Sequence, residues 1–251
     1  MNSTEEHSLL NTALATWNDW RLPLDRRPSV ISKSELGLTN GTYFLSSRSD
    51  KKIEFTLRLF SKKSELFGIN RSYERIIQSA VAEINLAPKI YYYDETLGFS
   101  VCEYVHGYVT DEKEFKKPNH QNLVIHAIKQ YQKIKLELPK FNYYRHLNNY
   151  ASHLQNRFTA EEQQQWLDFS KNLQVWQENN WQPTLTHHDL NHANVIFTEN
   201  SLSIIDWEYA GFGHGQFDLI SIGSHSKTDS KKDQEFIKQI QQWLNTLWFK
   251  F

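Results

Sequence analysis

The sequence predicts an α+β chain of two unequal lobes with a cleft between them. Three observations carry this. Residues 1–106 alternate strand-like runs with one strongly periodic helix. Residues 110–122 are charged and hold Pro118, which reads as a connector. Beyond Leu123 helical spacing dominates and encloses a single short β-rich stretch, residues 184–206. The lobes are therefore expected at 1–106 and 107–251.

In the first lobe, Leu9, Leu10, Ala13 and Trp17 recur at helical spacing. Val30-Ile31 leads through Gly37-Leu38-Thr39-Asn40-Gly41 to Thr42-Tyr43-Phe44-Leu45, and an Asn-Gly pair between apolar runs signals a turn. Residues 53–60 alternate at first and read as a strand. Tyr73, Ile76, Ile77, Ala80, Val81 and Ile84 place a helix over 70–84, stopped by Pro88. Residues 89–93 and 99–105 read as two further strands, with Gly98 in the turn.

In the second lobe, Leu123, Ile125, Ile128, Tyr131 and Ile134 line one long helix. Helical stretches are also expected near 150–154, 161–176 and 233–248. In the last of these, Trp243, Leu244, Leu247 and Trp248 recur at helical spacing, and packing is their default explanation.

Composition narrows the function classes. The 251 residues are 39% hydrophobic and 23% charged, ordinary for a globular chain able to bury a sizeable core. Mean hydropathy is low, −0.65, yet 14% of residues are aromatic, so few but large apolar side chains fill that core. A formal charge of −1 offers no global field to recruit nucleic acid or an anionic membrane. Cys102 is the single cysteine, so an intramolecular disulfide or a multi-thiolate metal site is excluded. The start carries acids and no basic-then-apolar pattern, so it does not read as a secretory signal. No apolar run approaches the roughly 18 residues of a membrane span. A reducing, cytoplasmic setting is expected.

The chemistry concentrates in Leu185-Thr186-His187-His188-Asp189-Leu190-Asn191-His192-Ala193-Asn194-Val195-Ile196-Phe197, followed by Ser203-Ile204-Ile205-Asp206-Trp207-Glu208-Tyr209. Apolar strands flank a polar loop, and a hairpin-like arrangement would gather Asp189, Asn194 and Asp206 at one strand end. Phosphoryl transfer needs such a set, because its barrier is mostly charge on the transferring group. Asp189 suits the carboxylate that accepts an alcohol proton. Asp206 and Asn194 offer hard oxygen ligands for magnesium. His187, at the mouth of the loop, can hydrogen-bond the loop backbone. His188 and His192 are four apart, but no glutamate lies between them and their surroundings read as strand and loop, which disfavours a zinc site.

His187-x-Asp189 with Asn194 behind it resembles the His-x-Asp-x-x-x-x-Asn catalytic loop of aminoglycoside phosphotransferases and choline kinases. Ile205-Asp206-Trp207-Glu208-Tyr209-Ala210-Gly211 and Phe217-Asp218-Leu219 resemble segments of the choline, ethanolamine and thiamine kinase branch. The resemblance covers roughly residues 28–225. It implies a two-lobed protein-kinase-like fold: a small antiparallel sheet with one helix, then a larger, mainly helical lobe holding a catalytic β hairpin. It also implies ATP and Mg2+ as cofactors and a small-molecule alcohol as partner.

Residue by residue, Gly37, Thr39 and Asn40 resemble the nucleotide-binding turn, whose backbone N–H groups suit an anion. Arg58 resembles the phosphate-contacting cation, and Glu74 the acid that pairs with it. A solvated edge charge at Arg58 and a solvated helix acid at Glu74 are the plain alternatives. Glu103-Tyr104-Val105 resembles the hinge, with Glu103 and Val105 offering backbone to adenine. Asp218 resembles an acid that supports the catalytic loop. Asp189, Asn194 and His187 take catalytic roles by this resemblance, and Asn194 and Asp206 hold metal.

Choline or ethanolamine is the first acceptor implied, with thiamine close behind. A protein kinase is disfavoured because neither Asp-Phe-Gly nor Ala-Pro-Glu occurs. A nucleotide-binding pseudokinase or scaffold is the alternative from another class. It is motivated by the about 32 residues after Leu219, fewer than these kinases usually carry. Oligomeric state is left open.

Overall fold

The computed structural model describes residues 3–35, 40–64, 66–179, 181–199, 201–224 and 230–250. The first lobe contains α1 (Ser3–Ala15), β1 (Ser29–Lys33), β2 (Gly41–Ser46), β3 (Phe55–Leu59), α2 (Arg71–Ala82), β4 (Ile90–Asp94) and β5 (Phe99–Glu103). Its five strands form one antiparallel sheet in the order β1-β2-β3-β5-β4.

Successive strand side chains point to opposite faces, and β3 uses this fully. Phe55, Leu57 and Leu59 are buried with Leu10, Ala13, Leu14 and Trp20 on the α1 side. Arg58 therefore faces the other way, toward the cleft and α2.

Helix α2 starts where Asn70 caps it, its side-chain oxygen accepting from the Tyr73 N–H at 3.0 Å. It ends at Ala82, so the helix expected to reach 84 is shorter. Its apolar face is also narrower than the sequence period suggests. Ile77 and Val81 are fully buried, but Ile76 and Ile84 are 39% and 40% exposed. The buried pair belongs to the core of the second lobe, beside Val124, Ile128 and Trp207. Burying two such side chains contributes about 3–6 kcal/mol, so α2 is held more by the second lobe than by its own sheet.

The second lobe contains β6 (Tyr108–Val109), α3 (Glu112–Phe115), α4 (Pro118–Tyr131), α5 (Tyr143–Leu154), α6 (Ala160–Gln177), β7 (Pro183–Thr186), β8 (Val195–Phe197), β9 (Leu202–Ile204), β10 (Gly211–His214), α7 (Phe217–Ser221) and α8 (Lys231–Trp248). The charged stretch 110–122 is not a connector. Asp111 caps α3 through a 2.6 Å bond from the Glu114 N–H. Pro118 opens α4, where a missing N–H costs nothing.

Two small sheets flank the polar loop. Strand β7 pairs with β10, while β8 and β9 form the hairpin and β6 adds to its edge. The tail helix α8 buries Ile237, Ile240 and Leu247, and Trp243 lies 5.3 Å from Trp166 and 5.7 Å from Phe169. Among the described residues no helix is long and apolar enough to cross a membrane.

Candidate active site

The loop between β7 and β8 is built around Asp218, which α7 delivers into a fully buried position. Its Oδ2 accepts from the His187 N–H at 2.7 Å and from the Tyr131 hydroxyl at 2.6 Å, and its Oδ1 accepts from the His188 N–H at 3.0 Å. Burial pushes the Asp218 carboxyl up to about 6, although all three donors pull it down.

His187 lies 2.9 Å from the Ile205 carbonyl through Nε2, which must therefore carry the proton. Its Nδ1 is left to accept from the Asp189 N–H at 3.3 Å. Burial lowers this imidazole to about 4, so it is neutral at pH 7. The ring thus braces the loop against the strand that leads to Asp206.

His188 has φ 68°, a left-handed conformation that costs a non-glycine residue about 1 kcal/mol or more. The surroundings hold it there. Nδ1 donates to the Tyr209 carbonyl at 3.0 Å, and Nε2 sits 2.9 Å from the Tyr143 hydroxyl. Gly213 leaves room for this arrangement, since any Cβ there would overlap the His188 ring and come within 2.5 Å of the Tyr143 hydroxyl.

Asp189 then emerges open to solvent. The Asn194 amide donates to its backbone carbonyl at 2.8 Å and to Oδ2 at 3.0 Å, and Asn191 donates to Oδ1 at 3.3 Å. Crowding by protein nevertheless pushes the Asp189 carboxyl up to about 6. Asn194 opens the hairpin. Its carbonyl accepts from the Ile205 N–H at 3.0 Å, next to the Val195–Ile204 pairing, so Asp206 follows directly on the opposite arm. Asp206 is left-handed at φ 65°, which aspartate tolerates better than most residues. Asp189, Asn194 and Asp206 are thus gathered at one end of the hairpin, as the sequence suggested.

Arg58 faces this end of the hairpin from the other lobe. Arg58 donates from Nη1 to Glu74 Oε1 at 2.8 Å, and from Nη2 to Asp206 Oδ1 at 2.7 Å and to Glu208 Oε2 at 2.5 Å. Glu74 is 2% exposed, so it is not a solvated helix acid.

A second guanidinium, Arg71, reaches Glu74 Oε2 at 2.7 Å and Glu208 Oε2 at 3.1 Å. Carboxylate oxygens of Glu74, Asp206 and Glu208 lie within 4.8 Å of one another, a grouping able to hold a cation. Burial moves Asp206 upward against the pull of Arg58, with the Glu208 charge adding to the rise. Glu208 moves the other way, because Arg58 and Arg71 together outweigh its burial.

The remaining expectations divide. Gly37 and Thr39 lie outside the described residues. The Asn40 side chain turns inward, accepting from the Ser61 N–H at 3.1 Å and donating to Glu208 Oε2 at 2.9 Å. Glu103 ends β5, and Val105 follows on the crossing to the second lobe. The Glu103 and Tyr104 N–H groups are taken by the carbonyls of Lys89 and Glu54 at 2.9 and 3.0 Å.

Sequence reasoning missed Arg71 and gave Glu208 no role. Only the i,i+3 spacing of Arg71 to Glu74 hinted at the first.

A family profile described as choline/ethanolamine kinase matches residues 31–227. No curated protein matches the sequence. The chain is similar in structure to the choline kinase LicA of Streptococcus pneumoniae, with TM-score 0.73 and 18% identity over 96% of this chain and 90% of that one. It is also similar to an ethanolamine kinase of Plasmodium vivax, with TM-score 0.67 and 19% identity over 99% and 80%. A choline/ethanolamine kinase family protein of Mesorhizobium loti gives TM-score 0.68 and 18% identity over 96% and 85%. These structural matches carry the kinase-like fold, and the profile spans most of the sequence. The chain belongs to the choline/ethanolamine kinase family of phosphotransferases.

Proposed function

We propose that this phosphotransferase moves the γ-phosphoryl group of ATP to the hydroxyl of a small alcohol, choline or ethanolamine first among the acceptors. The observation that carries the reading is the gathering of Asp189, Asn194 and Asp206 at the hairpin end opposite Arg58. The preference for choline or ethanolamine rests on family membership.

The donor set suits a magnesium ion. Asp206 supplies a carboxylate, and Asn194, whose amide nitrogen is spent on Asp189, keeps its side-chain oxygen as a hard ligand. Bound there with ATP, the ion would neutralise charge on the phosphoryl oxygens.

The chain's own residues do the rest. Asp189 takes the proton of the acceptor hydroxyl, with Asn194 fixing its Oδ2 and Asn191 its Oδ1. Its raised carboxyl suits a base working near neutral pH. Neutral His187 and buried Asp218 hold the loop that presents it. Arg58, held by Glu74 through Nη1, turns Nη2 from Asp206 and Glu208 to the phosphate oxygens. Asn40 stands beside the phosphates, and the backbone at Glu103 and Val105 meets adenine. The division of labour follows the lobes, nucleotide on 1–106 and acceptor on 107–251, in the cytoplasm.

The test is an ATP-consumption screen over choline, ethanolamine, thiamine, sugars and aminoglycosides with magnesium present. Turnover on choline or ethanolamine is expected. Binding of ATP without turnover on any alcohol would sink the enzyme reading and leave a pseudokinase.

A further inference from the structure

We propose that Arg71 is a positioning residue for this reaction, holding Glu74 and Glu208 and clasping the Asn40 turn to them so that Arg58 can serve the nucleotide. The proposal rests on the nucleotide-site reading above.

The starting point is burial. Arg71 opens α2 and is only 6% exposed. A buried cation needs close partners, or its desolvation is unopposed. Arg71 has them at both terminal nitrogens, while its buried Nε meets no hydrogen-bond partner among the described residues. Nη1 reaches Glu74 and Glu208, and Nη2 reaches Asn40 Oδ1 at 3.2 Å and Ser64 Oγ at 2.8 Å. The Phe60 ring lies 4.4 Å from the guanidinium carbon, and the Arg71 carbonyl accepts from the Tyr93 hydroxyl at 2.9 Å.

Charge balance gives this placement its consequence. With all three ionised, Glu74, Asp206 and Glu208 carry one more negative charge than Arg58 and Arg71 neutralise. With Arg71 gone, all three carboxylates would draw on Arg58 alone. Arg58 would then be bound by the protein in competition with phosphate. With Arg71 present, Glu74 and Glu208 keep a buried counter-charge when Arg58 turns to an anionic nucleotide.

Arg71 also joins the two lobes. Asn40 ends the candidate nucleotide turn, and its amide bridges Arg71 and Glu208. Glu208 lies two residues past Asp206. Asn40 is thereby tied to the segment expected to hold metal. A lysine could not replace this, because a point charge cannot serve four partners in the geometry of a guanidinium fork.

The test is a double-mutant cycle read as ATP affinity, measured by titration calorimetry with magnesium chloride, alongside melting temperature. Arg71→Met should weaken ATP binding about tenfold or more, and in a Glu208→Gln background the same substitution should cost less than about threefold. Arg71→Lys should weaken binding nearly as much as Arg71→Met while keeping the fold.

Equal losses in both backgrounds would overturn the proposal, as would a lowered melting temperature with unchanged affinity. Either would leave Arg71 a merely structural residue. If Arg71→Met does not fold, Arg71→Lys in the two backgrounds decides by the same criterion. Failure of the wild-type protein to bind ATP would overturn the nucleotide-site reading itself, and Arg71's role with it.

Discussion

Arg58 Nη2 lies 2.7 Å from Oδ1 of Asp206, so strand β3 of one lobe is bonded directly to the segment after β9 of the other. The cleft is bridged by the cation expected to contact phosphate and the carboxylate expected to hold metal. Each is also paired or crowded by further carboxylates, so a change at either is felt at the other.

Replacing Asp206 by alanine should remove the magnesium dependence of ATP binding as well as the rate. The reason is that Asp206 is the one charged ligand in the proposed metal pair. Calorimetric titration with ATP, with and without magnesium chloride, checks this. An Asp206→Ala protein that still binds ATP more tightly with magnesium would remove Asp206 from the metal site.

Asp189→Asn should lower the transfer rate by about 10²- to 10⁴-fold, the range for losing a general base. ATP affinity should hold, because Asp189 acts on the acceptor. Steady-state kinetics with a parallel ATP titration separates the two effects. A loss of nucleotide affinity as large as the loss of rate would contradict the assignment.

The pH profile follows from the same carboxylate. Asp189 must be ionised to take a proton, and crowding raises its carboxyl to about 6. Because the raised group gains its proton as pH falls through that value, kcat/KM should drop below about pH 6. The histidines beside it do not supply this limb. Burial has already lowered His187 to about 4 and His188 to about 3. Asp218, raised to about 6, and Asp206, raised to about 7, titrate in the same range and contribute to it. A profile flat from pH 7 down to pH 5 would count against Asp189 as the base.

Tyr131→Phe should destabilise the protein by about 1.5–3 kcal/mol, the range for a hydrogen bond to a charged group. The lost bond is the 2.6 Å contact to Asp218, in a fully buried setting. Urea unfolding measures it. The Asp218 carboxyl should rise further, since Tyr131 is the first of the donors that pull it down. A change under about 0.5 kcal/mol would mean that Asp218 does not depend on the tyrosine.

Much of this was legible beforehand where a pattern is local. The two-residue period of 55–59 placed Arg58 on one face of its strand and the leucines on the other. The polar loop between apolar runs marked Asp189, Asn194 and Asp206, because a short hairpin brings its own ends together. Patterns failed where burial depends on a distant partner. Ile76 and Ile84 match the helical period, yet they are 39% and 40% exposed, and Ile84 lies past the end of α2. Pro118 looked like a breaker, but the first turn of a helix needs no N–H from it.

The sequence by itself determined the order of the main strands and helices, the chemical types in the loop and the family resemblance. Each depends on neighbours within a few turns of chain, where spacing fixes geometry. Only the tertiary structure decided that Arg58, Arg71, Asn40, Glu74, Asp206 and Glu208 form one charged network. These residues come from four places in the chain: Asn40 just before β2, strand β3, helix α2 and the segment after β9. Their grouping is set by α2 burying Ile77 and Val81 in the second lobe's core, which carries the polar start of the helix into the cleft.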